Sequence, residues 1–184
     1  TGSTLSAPQA PTITTVSSDV KSLDVYFTSP TSDGGSPVTG YSYALNTGTV
    51  SVPVSPADIT TVDGVSTFKI SNLQNATTYK VVLQASNAIG TGLTSNPQIA
   101  RTYGVPDAPT INTVSGGVKS LTVNFTPAVS TPAVTSYKYS TNGGVTYVSL
   151  AQLPTDNQFV ISNLADATSY NIRMLAVNSA GNGT

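Results

Sequence analysis

The chain has 184 residues and a net charge of −1, from seven Lys and Arg against eight acidic residues, all of them Asp. It contains neither Cys nor His, which excludes disulfides, thiol and imidazole catalysis, and zinc sites built on nitrogen and sulfur. Only 8% of residues are charged and 53 are Ser or Thr, so there is no basic field for nucleic acid or anionic lipid, and the composition suggests an all-β extracellular protein.

Read in chain order, TGSTLS (Thr1 to Ser6) lacks the charged and apolar regions of a leader. APQAPT follows, and its two prolines favour extended, semi-rigid backbone. In SLDVYF, Leu23, Val25 and Phe27 alternate with Asp24 and Tyr26, the period of a half-buried strand. SDGGSP is a turn stretch, and GYSYAL the next strand. VDG is a further turn stretch, and Phe68 with Ile70 supply another short strand. TYKVVLQA then sets Tyr79, Val81, Leu83 and Ala85 on one face. No run approaches the ~18 apolar residues of a membrane span, and no helical period occurs.

From Pro109 the text begins again. PTINTVSGGVKSLTVNFT matches PTITTVSSDVKSLDVYFT from Pro11 at 13 of 18 positions, 98 residues apart. Tyr137 and Tyr139 repeat Tyr41 and Tyr43 at a spacing of 96, and Leu164, Tyr170, Asn178 and Gly181 repeat Leu73, Tyr79, Asn87 and Gly90 at 91. Length is lost only in turns, where it costs little. The expectation is all-β, with two tandem antiparallel sandwiches and Phe125 equivalent to Phe27 in the core. Leu23, Val25, Phe27, Tyr41, Phe68, Ile70, Leu73, Tyr79, Val81, Leu83 and their counterparts are expected to be buried.

The order PTI, SLxVxF, GYSYAL or SYKYS, FxISNL, ATxY, AxNxxG resembles the fibronectin type III domain, over both copies nearly end to end. The resemblance implies an immunoglobulin-like topology, with strands A-B-E packed against C′-C-F-G. It also implies that Tyr79 and Tyr170 bond back to upstream backbone at the corner entering strand F. The family usually carries Trp in strand B; Phe27 and Phe125 depart from that and are expected to pack less tightly.

VPDAPT (Val105 to Thr110) repeats APQAPT and reads as a spacer. By alignment, Thr1 to Ser6 fall where the tail of a strand G falls at Ile99 to Gly104, and Thr184 aligns with Leu93, before strand G. The domains are therefore expected as 1–7, a strand G segment of a preceding or neighbouring domain; 8–104, the first domain; and 105–184, the second, without its own strand G. On this reading Thr1, Gly2, Ser3, Thr4, Leu5 and Ser6 pair with a neighbouring copy around Arg173, Leu175 and Val177, by covalent array or strand exchange.

Chemistry is sparse. Asp19 and Asp24 read as solvated face or turn residues. Asp33, Asp63 and Asp107 are isolated oxygens where Ca²⁺ needs six or more. No Ser-His or SxxK pair exists, so no catalytic, metal or cofactor site is expected. Three N-x-S/T sequons, Asn75, Asn124 and Asn182, fall at permissive places for N-glycosylation. The functional expectation is a structural repeat unit of an extracellular filament or cell-surface stalk, with copies of itself head to tail as partner. The alternatives are an adhesin or module for surface glycans or a receptor, using the loop Ser29 to Gly40 and the F–G turns, and a spacer of a secreted carbohydrate-active enzyme.

Overall fold

The computed structural model describes residues 4–46 and 51–184. The chain forms two compact units that divide between Tyr103 and Gly104.

The first unit is built from β1 (Thr12–Asp19), β2 (Ser22–Thr28), β3 (Gly40–Leu45), β4 (Val52–Val54), β5 (Thr60–Val62), β6 (Val65–Ile70), β7 (Thr78–Ser86) and β8 (Gln98–Arg101), with one short 3-10 turn at Pro56–Asp58. Its sheets run β1-β2-β6-β5 and β4-β3-β7-β8, every pairing antiparallel. The alternation in SLDVYF decides which face is buried: Leu23, Val25 and Phe27 are fully enclosed, while Tyr26 faces water. Tyr79, Val81, Leu83 and Ala85 meet them from β7. Each such side chain contributes roughly 1.5–3 kcal/mol on burial. Asp63 and Gly64, both at positive φ, turn β5 into β6 as the DG pair requires.

The expected looseness around Phe27 is offset by neighbouring rings. Tyr41 stands edge-on at 4.8 Å and Phe68 at 5.9 Å, within the range where aromatic pairs add to burial. Tyr41 and Leu73 are half-buried and line this core without being enclosed in it. β8 closes the second sheet, and Tyr103 beyond it is fixed at both ends of its peptide unit: its N–H donates to Asp19 O and its carbonyl accepts from Ala76 N, each at 3.0 Å.

The second unit repeats the plan with β9 (Thr110–Gly117), β10 (Ser120–Thr126), β11 (Ser136–Ser140), β12 (Val148–Ser149), β13 (Gln158–Ile161), β14 (Arg173–Asn178) and β15 (Gly181–Asn182). Its sheets run β13-β10-β9 and β12-β11-β14-β15. Phe125, 2% exposed, packs edge-on against Tyr137 at 4.9 Å and Phe159 at 6.1 Å, the arrangement of the first unit again. Ile111, Leu121, Tyr170 and Ile172, however, are only half-buried, where Ile13, Leu23, Tyr79 and Val81 are enclosed. In the first unit β8 covers that side.

At the ends, the Ser6 N–H donates to Gly34 O at 2.9 Å, within the first unit, and Leu5 lies beside Gly35 of the same unit. The assignment of Thr1, Gly2 and Ser3 falls outside the described residues. Beside β14, β15 pairs with Val177 and Asn178, and Gly183 N donates to Ala176 O at 2.7 Å.

Candidate functional site

The feature that both units build alike lies where the chain enters each sandwich. Asn87, at the end of β7, is 7% exposed, and Asn178, at the end of β14, is 4% exposed. A buried carboxamide is tolerated only when its donors and acceptor are met, and here they are met by three separate segments. The Asn87 Nδ2 donates to Ser6 O at 2.8 Å and to Asp33 O at 2.7 Å, with Ser36 O at 3.3 Å. Its Oδ1 accepts from Ile89 N and Gly90 N. One side chain thus ties the lead into the domain, the β2–β3 loop and the turn after β7.

Asn178 does the same in the second unit. Its Nδ2 donates to Gly104 O and Ser130 Oγ, both at 2.9 Å, and to Pro132 O at 3.2 Å. Its Oδ1 accepts from Ala180 N at 2.8 Å. Ser6 and Gly104 stand 98 residues apart in sequence, so the same carbonyl of the repeat is bound in both. The prolines two residues on are held too. A Cβ on Gly92 would collide with Pro8 O, and one on Gly183 with Pro106 O, because the strand after the turn passes backbone to backbone against the lead. Pro106 is fully buried. The stretch from Val105, expected as a semi-rigid spacer, is at its start part of the second unit.

The tyrosine corners form as expected. Tyr79 hydroxyl accepts from Gln74 N at 2.9 Å and Tyr170 hydroxyl from Ala165 N at 2.8 Å. Asp33 caps its own turn, its Oδ1 accepting from Gly35 N at 2.8 Å. Lys69 bridges Asp19 at 3.3 Å and Asp24 at 3.2 Å on the outer face of the first sheet. The Val20 N–H, and then the Lys69 ammonium, hold the Asp19 carboxyl below its usual range. Partial burial works against the Lys69 charge, but the bonds from Asp24 and Asp19 outweigh it and push that ammonium up.

The sequons lie apart. Asn75, in the turn before β7, has a buried Oδ1 with no hydrogen-bond partner among the described residues. Asn124 is built into a ladder across three strands, its Nδ2 donating to Thr113 Oγ1 at 3.0 Å and its Oδ1 accepting from Gln158 Nε2 at 2.8 Å. Asn182 is exposed on β15. Of the residues expected in assembly, Arg173 is exposed, Leu175 is 8% exposed and Val177 is half-buried, with β14 paired to β11 throughout. They do not meet Leu5 or Ser6 within a unit. The carboxamide hub was visible in sequence only as the repeated Asn of AxNxxG, without its role.

Two β-sandwiches of one topology, each with its lead fastened by a buried Asn, define a tandem-module protein of immunoglobulin-like class. The family model for the fibronectin type III domain matches residues 6–101. Fibronectin type-III domain-containing protein 3A of Homo sapiens is 30% identical over 128 residues, covering 67% of this chain and 11% of that protein. The protein 3a of Gallus gallus is 29% identical over 157 residues, 82% of this chain and 12% of that protein. The solved FN1-FN3 domains of chicken CNTN1 align with 97% of this chain and 63% of theirs, at 20% identity and a TM-score of 0.40. The chain belongs to the fibronectin type III family, and it spans about an eighth of the length of the curated relatives it matches.

Proposed function

We propose that the chain is a stretch of an extracellular or cell-surface array, a filament or stalk in which fibronectin type III modules follow one another covalently and act as spacers. The observation that supports this is the duplicated lead. A module that enters its fold through the same Asn-to-carbonyl bond and the same Gly–Pro approach can follow any like module without new contacts having to be devised. Repeats of this kind are the economical way to build length. Partners are then copies of the same module in series. Surface glycans are carried at exposed positions such as Asn182 on β15, and not at Asn124, whose amide is already bonded. Among the described residues no helix is long and apolar enough to cross a membrane.

An antibody to the chain tests this on source material. The array reading expects labelling of intact, unpermeabilised cells or their medium, and a polypeptide many times the 18.7 kDa of this chain. A polypeptide of that mass alone, binding a glycan array through the loop Ser29 to Gly40, would overturn it in favour of a binding module.

A further inference from the structure

The turn between β11 and β12 carries a group of polar side chains that the first unit lacks. Its backbone is fixed from beneath. Ser140, 1% exposed, accepts at Oγ from Asn142 N at 3.2 Å and from Gly144 N at 2.9 Å, and donates to Asn142 Oδ1 at 2.7 Å. Gly143 N donates to Asn171 O at 2.9 Å, which holds the segment before β14 alongside the turn. Gly143 and Gly144 have φ of 76° and 98°, a region that favours glycine.

Three exposed side chains close on these two glycines. A Cβ on Gly144 would meet Tyr147 Oη at 3.2 Å and Arg173 Cδ at 3.3 Å, and one on Gly143 would meet Asn171 Nδ2 at 3.2 Å. The missing side chains leave a small cradle with backbone as its floor. Among the described residues Lys69 alone forms salt bridges, and the Arg173 guanidinium, the Asn171 carboxamide and the Tyr147 hydroxyl have no hydrogen-bond partner. The cradle lies on the β11 side of β14, opposite the edge that pairs β7 with β8 in the first unit, so it is open whether or not a further strand runs along β14. At their repeat spacings Tyr147, Asn171 and Arg173 stand in place of Ser51, Lys80 and Val82. The first unit pairs β3 with β4 and β7 without them, so the fold does not call for this group.

We propose that this cradle binds a sugar that bears a carboxylate, a uronate or a sialate. Arg173 supplies a planar fork of donors that matches one carboxylate. The Asn171 carboxamide and Tyr147 hydroxyl each donate and accept, which suits ring hydroxyls and not further charge, so the set fits one acidic sugar better than a run of acidic side chains. The glycine floor lets the ring approach the backbone, and the Ser140 bonds hold that floor in place before the ligand arrives, which lowers the cost of binding. Such a site serves a stalk as well as a lone module, so its test does not bear on the array reading.

The test titrates the whole chain with sodium glucuronate and, separately, with N-acetylneuraminate, followed by amide shifts in NMR. At least one should bind saturably at about 1–10 mM and move the Gly143, Gly144 and Arg173 signals while those of the first unit stay. The one that binds identifies the source, a uronate polymer or a sialylated tip. Glucuronamide, which lacks the charge, should bind at least about tenfold more weakly. Arg173→Gln, exposed and outside the core, should weaken binding about tenfold, and Tyr147→Phe, which keeps the ring, about fivefold. Circular dichroism should show both variants folded. No binding of either acid at about 50 mM, equal binding of glucuronamide, unchanged affinity in Arg173→Gln, or shifts confined to other residues overturns the proposal. So does tighter binding of a tri-aspartate peptide at the same residues, since an acidic protein would then be the partner.

Discussion

Replacing Asn87 by Ala removes the side chain that holds three segments together, and the structure sets the size of the effect. Two strong donated bonds, to Ser6 O and Asp33 O, and two accepted bonds, from Ile89 N and Gly90 N, are lost. A net hydrogen bond contributes about 1 kcal/mol, and a buried group left without a partner costs about 1–3 kcal/mol. Water can reach the turn amides once the carboxamide is gone, so only part of that penalty persists, and the expected loss is about 2–3 kcal/mol. With a urea slope of about 1 kcal/mol/M for a domain of this size, the unfolding midpoint of the first unit should fall by about 2 M. Because a chain of two compact units need not unfold in a single transition, the reading is taken unit by unit. Hydrogen exchange supplies the local readout. Ser6, Ile89 and Gly90 amides should exchange faster while the β2 amides hold. Asn87→Asp should be no better than Ala, because a carboxylate there would face the carbonyls of Ser6, Asp33 and Ser36. A midpoint change under about 0.5 M with unchanged exchange at Ser6 would refute the role assigned to the carboxamide.

Phe125→Ala should destabilise the second unit by about 3–5 kcal/mol, since Phe125 centres its ring cluster and is 2% exposed; chemical unfolding followed by circular dichroism reads it. Tyr79→Phe leaves Gln74 N without its acceptor and should cost about 1–2 kcal/mol in the same assay. Asp19 has a lowered folded pKa, so its contribution is present above the usual carboxylate range and is lost as pH falls through the folded value. Asp19→Asn should therefore lower first-unit stability near neutral pH and change it little well below about pH 4, where the carboxyl is protonated in both states, so that the acid limb is flatter; a parallel shift at every pH would deny the linkage.

The strands, and which face of each is buried, were legible because alternation in SLDVYF and TYKVVLQA is dictated by the sandwich itself. The corner tyrosines were legible through the repeat. What alignment did not reveal was the role of Ser6: the offset equates it with Gly104, and both carbonyls serve as entry anchors. Sequence gives a residue's position in a period but not the acceptor its backbone finds; that depends on where the β2–β3 loop folds back.

The lead makes two contacts of different kinds at a fixed spacing, and that spacing is itself open to test. Gly104 offers a carbonyl to Asn178, and two residues later Pro106 presses its carbonyl against Gly183. Proline has no N–H, so the lead cannot be held as a ladder strand would be; it is held by a side-chain donor and by the room a missing Cβ leaves. Inserting one Gly between Gly104 and Val105 adds about 3.3–3.6 Å of reach, more than either contact tolerates. One contact must then be given up. If Pro106 stays, the Asn178 carboxamide keeps Ser130 and Pro132 as acceptors but loses Gly104. The expected result is a loss of about 1 kcal/mol confined to the second unit, with the Ala180 amide, held by Asn178 Oδ1, exchanging faster. An insertion that leaves both the stability and that amide untouched would mean the lead is a tether after all, and that the matching bonds in the two units do not set how a module begins.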